Sequence, residues 1–164
     1  MPHWGTILTV ACASLALAGK ASAENPGSAG TAPGATVASG EYLSAIEQDA
    51  FSFRRLQTEL MVAALSCGEP VLRDQYNAFV IRHRPALREN GRVLKAHFRR
   101  LYGRQATKRL DDHMTRAANE ASALSWNDAS FCWKARVRFE ALERIEPIQS
   151  AGGLVREAEA ALER

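Results

Sequence analysis

Residues 56–71 read LQTELMVAALSCGEPV, and most of the architecture can be worked out from them. Leu56, Leu60, Ala63 and Ala64 recur at three- and four-residue intervals, the spacing of one helix face. The run ends in Cys67-Gly68, where glycine supplies the left-handed residue that closes a helix. Pro70 follows where the first turn of a new helix tolerates it. Extended backwards, the stripe takes in Ile46, Ala50 and Phe53, so a first helix is predicted from Glu41, capped by Ser39 or Gly40.

Forwards from Pro70, a second stripe contains Leu72, Tyr76, Phe79, Val80, His83, Leu87, Leu94, Phe98 and Leu101, and Gly103 closes it. Pro85 interrupts it, because its ring displaces the preceding turn and it has no amide donor; a kink or break is predicted around 82–84. A third helix is predicted from about Gln105 to Leu124, with Leu110, Met114, Ala117 and Ala121 facing inward. A fourth, capped by Ser125 or Asn127, carries Phe131, Ala135, Phe139, Leu142 and Ile145, and Pro147 stops it. No useful length alternates with period two. The fold class is therefore all-α, expected as an up-down-up-down four-helix bundle with a kinked or broken second helix.

The cysteines bear on this layout. Cys67 falls at the end of the first helix and Cys132 in the opening turns of the fourth. These points share one end of such a bundle and could be joined by a disulfide. Two buried free thiols are the alternative. The pairing depends on compartment. An apolar run from Ile7 to Gly19, then Ala21-Ser22-Ala23, reads as a signal peptide cleaved after Ala23, although the segment before the run has no Lys or Arg. Acylation at Cys12 and an uncleaved anchor are the other readings. With cleavage the chain keeps two cysteines in the oxidising periplasm, where such pairs usually bond.

Four regions result: a signal peptide at 1–23, a flexible leader at 24–40, a helical bundle domain at 41–147 and a helix-prone peripheral tail at 148–164. The leader is Gly, Ala, Ser, Thr and Pro with almost no large apolar side chain, so it cannot bury enough surface to offset its ordering entropy. The tail has few apolar anchors. Nothing after the leader is apolar for long enough to cross a membrane.

Charge is unevenly distributed. Residues 73–116 hold twelve Lys/Arg against four Asp/Glu, a local net of +8, while 24–72 carry −4 and 117–164 carry −2. Within the basic stretch, Lys95, Arg99, Arg100, Arg104, Lys108 and Arg109 gather around Leu101-Tyr102-Gly103. The guanidinium fork suits phosphate and carboxylate, and a turn entering a helix adds amide donors. One reading is a patch for an anionic partner, either another protein or an anionic envelope component. The plainer reading is that these residues pair with acids inside the bundle. Nucleic acid is not expected as a partner of an exported protein.

Catalytic and cofactor signatures are missing. His83, His97 and His113 form no HxxxH or ExxH pair, and His97 and His113 read as solvent-facing. There is no CxxCH, GxSxG, HExxH or glycine-rich phosphate loop. Met61 and Met114 fit the apolar stripes, so no haem, metal or other cofactor is expected. The segment from Leu56 to Ile145, with LMVAALSC at 60–67, YNAF at 76–79 and Phe131-Cys132, resembles small uncharacterised two-cysteine exported proteins of proteobacteria. That resemblance implies a periplasmic helical protein and carries over no activity and no site residues. The functional expectation is a non-enzymatic periplasmic interaction protein, in the role of an accessory subunit of an envelope complex, binding an anionic or protein partner through the basic pole or a helical face. A periplasmic chaperone or an inhibitor of a secreted enzyme is the second reading, and an enzyme of unknown chemistry the third.

Overall fold

A computed structural model describes residues 43–147 and 150–164. The expectations for the signal peptide, Cys12, the leader and the caps at Ser39 and Gly40 lie outside the described residues. Helices are α1 (Ala45–Ser66), α2 (Pro70–Arg82), α3 (Arg84–Tyr102), α4 (Ala106–Asn127), α5 (Phe131–Glu143) and α6 (Ala151–Ala160), with a 3-10 turn at Gly103–Gln105 between α3 and α4. The described residues contain no strand.

The chain's punctuation explains these boundaries. Ser44 caps α1: its hydroxyl accepts from the Glu47 amide at 3.3 Å, and Glu47 accepts from the Ser44 amide at 2.9 Å. This reciprocal box satisfies donors that the first turn would otherwise leave open. Gly68, at φ 70°, turns the chain after α1, and Pro70 opens α2. The break expected around 82–84 falls at His83, whose φ of −101° and ψ of 22° leave the helical region. What read as one long helix is therefore two, of 13 and 19 residues. The cap of α5 is not Ser125 or Asn127, both of which lie inside α4. It is Ser130, whose amide and hydroxyl donate to the Asp128 carboxylate at 2.9 and 2.6 Å.

Helix α1 is central and packs against every other α-helix. Phe53, Leu56 and Leu60 bury their side chains against Leu72 and Phe79 of α2, Phe131, Phe139 and Leu142 of α5, and Leu154 of α6. Burying such side chains contributes about 1.5–3 kcal/mol each, the dominant favourable term. One stripe position departs from expectation: Ile46 is 68% exposed. Among the described residues, no helix is long and apolar enough to cross a membrane.

Cys67 and Cys132 are bonded, with Cα atoms 5.7 Å apart and a separation of 65 positions in sequence. The C-terminal stretch requires a correction. Expected as a peripheral tail, it forms α6, with Leu154 and Ala158 fully buried. The large apolar anchors sought in the sequence are few because α6 packs by close approach. A methyl group at Gly152 would run into the Asp49 carboxylate, so the glycine leaves room for that side chain between α1 and α6. Among the described residues six α-helices stand where the stripes suggested four.

Candidate functional site

The six basic residues singled out in the sequence fall at one corner. Lys95, Arg99 and Arg100 lie on the last turns of α3, Arg104 in the 3-10 turn, and Lys108 and Arg109 on the first turn of α4. All six are exposed. Gly103 makes the corner possible: at φ 50° it occupies a region that side-chain-bearing residues rarely adopt.

Three of the six are engaged within the molecule. Arg100 Nη2 donates to Glu47 Oε1 at 2.8 Å, Lys108 Nζ to Asp112 Oδ2 at 2.9 Å, and the Arg109 guanidinium lies 5.5 Å over the Tyr102 ring. Lys95, Arg99 and Arg104 form no ion pair among the described residues. The plainer sequence reading, internal pairing, thus holds for Arg100 and Lys108 and leaves half the cluster unexplained.

Beneath the corner is a polar and aromatic underlayer. Glu47 accepts from the Ser44 amide, Arg100, His97 Nδ1 (2.9 Å) and the Ser44 hydroxyl. These donors, the Ser44 amide foremost, hold its carboxyl well below the usual carboxylate range. The same carboxylate therefore caps α1 and ties α1 to the end of α3. His97 is buried, with its ring edge-on to Phe51 at 5.1 Å, and His113 approaches Phe51 at the same distance. Phe98 stacks on Tyr102 at 5.8 Å, which continues the aromatic layer to the surface beneath Arg109. Burial, aided by nearby Arg116, pushes the His113 pKa down, so its ring is the neutral form at pH 7.

His97 and His113 were expected to face solvent; His97 is buried and His113 half-buried. A signal for both was present. His97 lies three residues after Leu94 and four before Leu101, and His113 stands in the same relation to Leu110 and Ala117, so both share the apolar stripes. Glu47 was also missed, although Ser44-x-x-Glu47 is the capping-box spacing.

The start of α4 completes the geometry. Gln105 gives no side-chain cap, and the first turn holds no acid. Instead Lys108 and Arg109 stand there, at the end of the helix dipole that disfavours cations. Their charge and the uncapped end of α4 add to the same positive field, which an anion would relieve. Among the described residues, no three His, Cys, Asp or Glu side chains converge as a metal would require. Comparison of the chain with protein-family models, with curated proteins and with solved structures finds no match in any of the three.

Proposed function

We propose that this protein is an exported, periplasmic interaction domain, non-enzymatic, whose basic corner receives an anionic partner: an acidic protein or an anionic component of the envelope. An accessory subunit of an envelope complex is the role that suits it. The observation that carries this reading is the placing of Lys95, Arg99 and Arg104, exposed and without carboxylate partners among the described residues, around a helix start with no side-chain cap that already bears two further cations. Such an arrangement costs electrostatic free energy in the free protein, and an anionic partner returns it. Rigidity supports the reading as well. The Glu47 contacts pin the corner to α1, and the disulfide closes the far end of that helix, about 30 Å away along its axis. In finer outline, α2 and α3 together form the descending leg of an up-down path, with signal cleavage after Ala23 delivering the protein to an oxidising compartment.

The test is copurification from native envelope extracts. The oxidised protein is expected to emerge with a larger assembly that loosens as salt rises, since exposed charge contacts are screened. The variant carrying Lys95→Glu, Arg99→Glu and Arg104→Glu, with unchanged helical content, is expected to emerge alone. Undiminished assembly in that variant would refute the corner.

A second reading has its own observation. Trp126 is 87% and Leu65 75% exposed, and Val71 and Trp133 are also exposed, all near helix ends on the disulfide side. Exposed apolar side chains of this size suit capture of unfolded chains. Suppression of aggregation of unrelated unfolded proteins, lost on Trp126→Ser, would favour a chaperone over a dedicated subunit.

A further inference from the structure

Between the first half of α1, the first half of α3 and the start of α6 lies a cavity of about 350 Å3 whose character is opposite to that of the basic corner. Its walls are largely apolar, Pro85 and Val93 among them, and its polar side chains are Asp49, Glu89, Asn90 and Ser150. No Lys, Arg or His among the described residues lines it, although α3 runs through the most basic stretch of the chain.

Asn90 sets the polarity of this space. It is 1% exposed, and its Nδ2 donates to the Ala50 carbonyl at 2.7 Å. A carbonyl only accepts, so this bond fixes which end of the amide is which. The other end, Oδ1, is buried without a partner among the described residues. A buried acceptor left unmet carries a desolvation cost that a donor, or a positive charge close by, would relieve. Asp49 is the second acceptor. Its carboxylate rests against Gly152 at the start of α6, where any larger residue would displace it. Glu89 stands at the rim, where Arg92, itself outside the lining, holds both carboxylate oxygens through Nε (2.8 Å) and Nη2, so Glu89 adds acceptor lone pairs to the site while Asp49 supplies its unpaired negative charge among the described residues.

We propose that this cavity binds an organic ammonium ion, its charged head near Asp49 and Glu89 on the Asn90 side and a short apolar body against Pro85 and Val93. An ammonium group brings three donors and no acceptor, which matches a lining rich in acceptors. A carboxylate ligand would meet the like charge of Asp49. A neutral alcohol would leave the Asp49 charge uncompensated.

The experiment titrates the oxidised protein with pentylammonium, pentanol and pentanoate, following backbone amide resonances. Pentylammonium is expected to shift amides of residues 46–50, 85–93 and 150–152 in a saturable way, with pentanol weaker and pentanoate silent. Asp49→Asn and the exposed Glu89→Gln are each expected to weaken pentylammonium binding roughly tenfold, as loss of a charge-assisted contact does. Glu89→Gln lies at the surface and keeps the test available if Asp49→Asn unsettles α6. Equal affinity for pentanol, shifts confined to other regions, no saturable shift at all, or full affinity in Glu89→Gln with Asp49→Asn folded would each overturn the proposal.

Discussion

Glu47 shows how much one side chain can organise. Its carboxylate accepts from the Ser44 amide to close the cap of α1 and holds both His97 and Arg100. Asp128 does similar work at the opposite end of the helices. Lys134, then the Ser130 hydroxyl and amide, hold its carboxyl at about 2, against an ordinary 3.8. Both groups have folded-state pKa values below their unfolded ones, so the stability they contribute is present above the unfolded value and lost as pH falls through the folded one. Acid titration is expected to weaken the fold progressively from near pH 4.5 downward, and the Asp128 carboxyl resonance should titrate near 2. A midpoint at 3.8 would show that the cap is open in solution. His83 acts in the same direction for a different reason. Buried at the α2–α3 break, it donates from Nε2 to the Leu142 carbonyl, and burial lowers its pKa below 6.5. Its neutral ring is matched to the fold above that value and opposes the fold as pH drops beneath it. His83→Phe should therefore flatten the stability profile just below pH 6.5 if this ring is the cause.

Among the elements, α6 is the most instructive. Leu154 and Ala158 carry its packing against the core, and truncating Leu154 to Ala is expected to cost about 2–5 kcal/mol, as for other buried leucines. A loss below about 1 kcal/mol in chemical denaturation would place α6 at the periphery after all. Phe139→Ala in α5 should cost about 3–5 kcal/mol on the same grounds. The contrast between these helices explains what could be read beforehand. The helices at 45–66, 70–102, 106–127 and 131–143 announce themselves because large apolar side chains recur at helical spacing, and the break near Pro85 follows from its missing donor. Helix α6 was underestimated because glycine and alanine contribute to packing by what they lack, which a search for large apolar residues passes over. The basic corner was legible as composition, since its six residues are nearly contiguous. Its support was not, because Glu47 lies some fifty residues away from Arg100 and only the fold brings them together.

For the molecule as a whole, the disulfide joins what the helices arrange. Its loop spans 65 residues, for which the chain-entropy model gives roughly 4 kcal/mol of stabilisation, less any strain in the folded state. Reduction is therefore expected to lower the melting temperature by many degrees, whereas an unchanged melting point would mean that helix packing alone holds the ends of α1 and α5 together. The proposed compartment and the stiffness of the scaffold both depend on this bond forming in the cell. The most direct test is the intact mass of the native protein after alkylation of free thiols under denaturing conditions. The expected species begins at Glu24 and carries no alkyl group on Cys67 or Cys132. A species that keeps residues 1–23, or one alkylated at both cysteines, would contradict it.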